Sequence, residues 1–176
     1  YKFFNSLNLF LNKRNISSIY IAYDTRLSAR PILKIILSKL KNLKNIFIID
    51  RPVTTPYLNY LSKKKNSFCI MITASHFNWN YNGFKFFKEG NKITKNDENI
   101  VVNYLKKKQK IKNSKSKIKK TNIKKIFPKN YINSINKKFK KFPSKKIIFD
   151  LAHGGACSFR KDLNIFKKFK IINYRF

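Results

Sequence analysis

Ser75 has the clearest chemical prospects of any side chain in this sequence. It follows the apolar run 68–72, which reads as a buried strand, so its hydroxyl is expected at a rigid and exposed strand end. Small Ala74 and the polar Thr73 and His76 leave room around that hydroxyl for a phosphate. Lys85 stands ten residues further on, where an ammonium could neutralise a phosphoserine and help move a proton during phosphoryl transfer. A polar loop with a merely solvated serine meets the same spacing, and on spacing alone that plainer reading has the advantage.

The elements that must hold these residues are legible from hydropathy. Residues 1–14 read as a helix with Phe4, Leu7 and Leu11 on one face. A short apolar strand over 19–23 leads into the polar loop 24–29. Pro31 then opens a helix whose inward face carries Ile32, Ile35, Ile36 and Leu40. A second buried strand, 46–49, runs through a turn with Pro52 and Pro56 into a short helix bearing Leu58 and Leu61. The third strand, 68–72, opens into the loop 73–81. A further strand over 83–87 turns at Glu89-Gly90, and Asp97 and Glu98 suit the first turn of a helix reaching Lys108. Strands that are apolar throughout and alternate with helices predict an α/β/α sandwich on a mostly parallel, mixed sheet. Its site belongs at the carboxyl ends of the strands, in loops 24–29, 51–56 and 73–81.

The second half reads differently. No acid occurs from Asn99 to Phe149, and 18 lysines lie between Lys106 and Lys146. Residues 108–125 lack a long apolar stripe and are expected to be a linker or surface loop. A helix over 126–142 with Tyr131, Ile135 and Phe139 inward, a strand over 146–150 and the turn His153-Gly154-Gly155 follow. The expected organisation is a first domain over 1–107, a lysine-rich linker over 108–125 and the incomplete start of a second, similar domain over 126–176.

Composition narrows the classes. The 176 residues carry 41 Lys and Arg against 7 acids, a formal charge of +34, and 43% are hydrophobic, enough for a packed core. Only six of the cations are Arg (14, 26, 30, 51, 160 and 175). A surface selected for nucleic acid would favour the planar guanidinium. The wealth of Lys, Asn, Ile, Phe and Tyr instead follows A/T-rich codons, so nucleic acid is expected to bind only nonspecifically if at all. Cys69 and Cys157 are too few for a disulfide scaffold and too far apart for a CxxC metal pair, which favours a reducing, cytoplasmic setting. No apolar run approaches the roughly 20 residues of a membrane span, so no membrane partner is expected. The sequence opens at Tyr1 rather than Met, from which a preceding segment is expected.

Four segments in order resemble the α-D-phosphohexomutase family. Thr73-Ala74-Ser75-His76, followed by Asn82-Gly83-Phe84-Lys85, is similar to its phosphoserine signature T-A-S-H-N-P…N-G-[IFY]-K. Tyr23-Asp24-Thr25-Arg26-Leu27-Ser28-Ala29 resembles its G-R-D-[TS]-R-x-S-G loop. Arg51-Pro52-Val53-Thr54-Thr55-Pro56 with Tyr60-Leu61 resembles its P-T-P-A-x-x-Y-L element, and Asp150-Leu151-Ala152-His153-Gly154-Gly155-Ala156 its D-C-A-N-G-A turn. The details are most like the bacterial phosphoglucosamine mutase branch, with the phosphomannomutase/phosphoglucomutase branch as the alternative. An inactive remnant or a basic polyanion-binding module are the alternatives of another class.

The resemblance implies a phosphohexose mutase that moves phosphate between C6 and C1 of a hexose phosphate, for example from glucosamine 6-phosphate to glucosamine 1-phosphate. Ser75 would be the phosphoserine, Lys85 the neighbouring lysine and His76 an orienting histidine. Arg26 and Asn82 would belong to the substrate-binding site loops, Arg26 alternatively tethering a loop through Asp24. The resemblance also implies Mg²⁺ held in part by the serine phosphate. The aspartate loop D-G-D-G-D-R that would complete its ligands does not occur in this sequence, and neither do the family's third and C-terminal domains. Departures are Phe77 and Asn78 in place of Asn-Pro, Ala29 in place of a loop glycine, with a cost of about 1 kcal/mol if that position needs positive φ, and His153 in place of Asn. Cys69 reads as inert core, and Trp79 as either a packing residue or a lid.

Overall fold

A computed structural model describes residues 2–40, 43–107, 121–141 and 146–173. Its centre is a six-stranded sheet built from β1 (Ser18–Tyr23), β2 (Asn45–Ile49), β3 (Phe68–Ile72), β4 (Phe84–Lys88), β5 (Asn91–Lys92) and β6 (Asn122–Ile126), in the order β5-β4-β3-β1-β2-β6. β3, β1, β2 and β6 run parallel, while β4 and β5 add an antiparallel edge. The register sets Ile21 beside Ile48 on one side and Ile70 on the other. Every residue of β3, and every residue of β1 after Ser18, is buried, as expected of strands covered on both faces.

One face packs against α1 (Lys2–Lys13), α2 (Ala29–Lys39) and α4 (Lys95–Lys106), whose Leu7, Phe10, Leu11, Ile36 and Val101 meet Ile19, Ile21, Phe68 and Ile70. Helix α4 starts where Thr94 Oγ1 accepts the Asp97 amide hydrogen at 3.2 Å, with Asp97 and Glu98 at the positive end of its dipole. The other face packs against α3 (Thr55–Lys65) and α5 (Lys129–Lys138), where Tyr57, Leu58, Leu61 and Ile132 cover Tyr20, Ala22, Cys69 and Met71. The result is the expected α/β/α sandwich with a mixed, mostly parallel sheet. Beyond it, β7 (Ile148–Asp150) and β8 (Lys170–Ile172) pair in parallel around a 3₁₀ turn (Gly155–Phe159) and the short α6 (Asn164–Lys168). Phe159 and Leu163 from this unit are buried in the α3-side core.

Several local expectations change. Residues 122–126, placed in the linker on sequence, form β6 and extend the sheet beside β2. Their exposed Asn-Ile-Lys-Lys pattern hides the strand signal, because an edge strand buries little and its lysines discourage further pairing. The rest of that expected linker, 108–120, lies outside the described residues. Helix α5 occupies Lys129–Lys138 rather than 126–142, with Ile132 innermost and Phe139 exposed. In α2, Ile35 points to solvent and Ile36 carries the packing. Helix α4 stops at Lys106, two residues short of expectation.

Candidate active site

Strand order locates the site. The chain leaves β1 through α2 toward β2 on one side, while β3, its other neighbour, continues to β4 away from β1. Loops after β1 and β3 therefore diverge and open a crevice at their carboxyl ends. A cavity of about 650 Å³ lies there, within the range of small-molecule sites. Residues 24–27 after β1, Val53, Thr54 and Thr55 after β2, and Thr73 and Ser75 after β3 line it, and 152–155 close it from the second unit.

Ser75 sits on that wall and is exposed. Its backbone is left-handed, φ 58°, a conformation that costs a side-chain-bearing residue of order 1 kcal/mol. A local bond holds it: the Ser75 amide donates to Oγ1 of buried Thr73 at 2.9 Å. Behind it, the Thr73 amide donates to the Gly83 carbonyl at 2.9 Å, closing the base of the loop.

Arg26 organises the rest of this loop. Its Nε donates to Asp24 Oδ2 at 3.2 Å, its Nη1 to the carbonyls of Asn78 (2.5 Å) and Tyr81 (3.2 Å), and its Nη2 to those of Ser75 (2.9 Å) and Phe77 (2.7 Å). A guanidinium has five N–H donors, and all five are used. Of the two roles sequence reading left open for Arg26, the structure builds the tether. The same bonds stiffen the positions where Phe77 and Asn78 replace the family's Asn-Pro.

The other candidates take different places. Asn82 does not line the cavity; its Nδ2 donates to Ser28 Oγ at 3.0 Å and its Oδ1 accepts the Gly83 amide hydrogen at 2.8 Å, joining the first and third loops. His76 points outside the lining and stacks on Phe77 with ring centroids 4.9 Å apart. Lys85 pairs with Met71 across β3 and β4 and so shares the sheet face on which Met71 lines the cavity, but Lys85 itself is not on its wall. Ala29 carries no positive φ; it is the buried first residue of α2, and the strain expected of a replaced loop glycine is absent. Cys69 is core, as expected, and burial pushes its thiol up to about 12.

The second unit is locked onto these loops. Thr25 Oγ1 donates to the His153 carbonyl at 2.9 Å, and Arg51 Nη1 donates to Asp162 Oδ2 at 2.7 Å and to the Ser158 carbonyl at 3.0 Å. Gly155 lies so close to Val53 that a β-carbon there would stand 2.6 Å from the Val53 carbonyl carbon. Sequence reading gave Thr25 and Gly155 no individual role, and Thr73 only a place beside the Ser75 hydroxyl, not its bond to the Ser75 amide. Their positions inside the recurring motifs were the available signal.

The family model for "Phosphoglucomutase/phosphomannomutase, alpha/beta/alpha domain I" matches residues 2–112. The chain belongs to the phosphohexomutase family. It is 34% identical over 149 residues to a phosphoglucosamine mutase of Prochlorococcus marinus, covering 82% of this chain and 33% of the relative. A phosphoglucosamine mutase of Campylobacter jejuni is 31% identical over 155 residues, 84% of this chain and 35% of the relative. A phosphomannomutase of Salmonella muenchen is 29% identical over 98 residues, 54% of this chain and 20% of the relative. Two solved structures share the fold over 99% of the chain. One is from Thermus thermophilus (TM-score 0.77, 16% identity, 41% of that structure), and the other is a phosphoglucomutase/phosphomannomutase family protein of Burkholderia thailandensis (TM-score 0.73, 15% identity, 39%). This phosphohexomutase chain spans about a third of the length of the curated relatives it matches.

Proposed function

We propose that this chain carries the phosphoserine of a phosphohexose mutase and exchanges a phosphoryl group with a hexose phosphate, glucosamine 6-phosphate becoming glucosamine 1-phosphate. The observation that carries the reading is Ser75, braced at the end of β3 with its face open to a cavity sized for a small ligand. The 34% identity to a phosphoglucosamine mutase favours the amino sugar, and the Salmonella phosphomannomutase keeps mannose phosphates as the second reading.

In the forward half-reaction a sugar hydroxyl attacks phosphorus on Ser75. The new P–O bond forms as the bond to Oγ breaks, and the hydroxyl proton ends on Oγ. The bisphosphate turns end for end, and Ser75 Oγ attacks its other phosphoryl group, returning the proton to the sugar oxygen freed. At the start of α3, whose Thr54 and Thr55 line the cavity, the Thr55 main-chain N–H stands at the positive end of the helix dipole and is the group available to a phosphoryl oxygen, since Pro56 carries no N–H and the Tyr57 amide donates to the Thr54 carbonyl. Lys85, beside the cavity on the same sheet face, contributes positive charge and a proton route at its edge.

Magnesium, which the resemblance implies, does not find a full set of ligands among the described residues. No group of three or more His, Cys, Asp or Glu occurs among the described residues, and Asp24 at the cavity is paired with Arg26. A phosphorylated Ser75 would offer one part of such a site and nothing beside it completes the set. The proposed setting is cytoplasmic: both cysteines are free and buried, and among the described residues no helix is long and apolar enough to cross a membrane.

The deciding experiment is the intact mass of the protein purified from its source, with fragmentation to map any phosphoryl group. One phosphoryl group on Ser75, lost on incubation with glucosamine 6-phosphate, is the expected result. An unmodified Ser75 that also takes no phosphoryl group from a hexose bisphosphate would overturn the proposal.

A further inference from the structure

We infer that Trp79, with Phe77 beside the same cavity, is the platform on which the apolar face of the substrate's hexose ring stacks while its phosphate faces Ser75. This inference rests on the mutase reading and adds to it the residue that grips the sugar. Trp79 is the chain's single tryptophan and is 79% exposed, and Phe77 is 61% exposed, yet both line the cavity that holds Ser75. A large indole left in water is costly unless something covers it. The lining also carries the hydroxyls of Thr25, Thr54, Thr55 and Thr73, beside apolar Leu27, Val53 and Met71. The two kinds of surface match the two sides of a hexose phosphate, whose ring has a C–H face and whose substituents are hydroxyls and an anion.

The platform is also held in place. Arg26 binds the carbonyls of Phe77 and Asn78, the two residues immediately before Trp79, and that of Tyr81 beyond it. Phe77 is braced between His76 and Tyr81, with ring centroids 4.9 Å and 6.1 Å away. Fixing the backbone on both sides removes much of the ordering cost that an exposed loop aromatic would otherwise meet on binding. Trp79 thus acts as a binding and positioning residue, separate from the group that exchanges phosphate.

Trp79 is the one tryptophan of these 176 residues, so in a protein of this chain its emission reports this contact. Glucosamine 6-phosphate titrated into the intact protein is expected to shift the emission to shorter wavelength and lower its quenching by acrylamide. Inorganic phosphate and open-chain glucitol 6-phosphate are expected to leave both unchanged. Trp79→Ala is expected to weaken glucosamine 6-phosphate binding about three- to tenfold by calorimetry while leaving inorganic phosphate binding intact, and Trp79→Phe to keep part of the difference. Sugar phosphate binding that leaves the emission unmoved and survives Trp79→Ala overturns the inference while the mutase reading stands. An emission shift of equal size with inorganic phosphate overturns it as well, since that reports loop ordering. Emission already shielded from acrylamide without ligand also overturns it, because protein then covers the ring. Absence of any sugar phosphate binding together with an unphosphorylated Ser75 removes both.

Discussion

Replacing Arg26 tests the central claim about the site, that one guanidinium holds the Ser75 loop. Arg26→Ala removes five hydrogen bonds at once. The four carbonyls lie near solvent, so water recovers much of each bond and the net loss is nearer about 0.5 kcal/mol apiece than the value for a shielded charged pair, roughly 2 kcal/mol together. The ion pair with Asp24 is more sheltered, its side chains 11% and 14% exposed, and adds about 1 kcal/mol. The loop can open without unfolding the sheet, so about 3 kcal/mol should appear locally before it appears in the melting temperature. The assay is native-state amide exchange at Phe77 and Tyr81, whose N–H groups donate to the Ala74 and Asn78 carbonyls at 3.1 Å each. Exchange there is expected to rise about 100-fold in Arg26→Ala, the factor that 3 kcal/mol corresponds to, with amides of β1 and β3 unchanged. Arg26→Lys should recover only part of this, because an ammonium offers three donors from one point and cannot span five acceptors. Exchange at Phe77 and Tyr81 within threefold of wild type in Arg26→Ala would refute the reasoning.

Three further expectations are open to simpler measurements. Ser75→Gly should abolish phosphorylation by intact mass and yet melt no lower than wild type, because glycine relieves the left-handed backbone at φ 58°; Ser75→Ala should lose the phosphate without that relief. Gly155→Ala should destabilise by about 1–3 kcal/mol, since the new methyl meets the Val53 backbone, and limited proteolysis should show earlier cleavage between α5 and β8. Cys69 holds its proton to about 12 in the folded chain against an ordinary 9.0, because burial opposes the thiolate. The unfolded chain releases that proton first, so the stabilisation is complete below pH 9 and is lost as pH rises from 9 toward 12. Tyr57, pushed up by the same burial, acts in the same direction. Denaturant midpoints measured across that interval should fall steadily, and iodoacetamide should label Cys69 at neutral pH only after denaturation.

The parallel core was legible because its strands are apolar on both faces: 68–72 and 19–23 can only be buried, and the helices between them follow from periodicity. β6 was hidden for the opposite reason. Asn122, Lys124 and Lys125 lie at an exposed edge, where the backbone pairs with β2 but the side chains gain nothing from being apolar. Among the site residues, Ser75 could be read because its place depends on a single strand end. Asn82 and His76 could not be placed, since each depends on how two loops meet: Asn82 reaches Ser28, 54 residues away, and His76 turns toward Phe77 instead of the cavity. Arg26 shows the same limit. Its neighbour Asp24 was visible in the sequence, but the four carbonyls it collects come from residues 49 to 55 positions later.

The charge of the chain and the charge of the site are separate matters. Among the described residues, Arg26 is the one Lys or Arg that lines the cavity, and it is neutralised by Asp24 and saturated by main-chain carbonyls. In the proposed reaction, charge compensation at Ser75 would fall to the Thr55 main-chain N–H at the start of α3 and to Lys85 on the neighbouring strand. On that reading the ligand's phosphate would be delivered and oriented by the rest of the molecule. Trp79 and Phe77 at the cavity wall supply a surface for that remainder, and Arg26, spent on holding the loop that carries them, is what keeps platform and nucleophile in one frame.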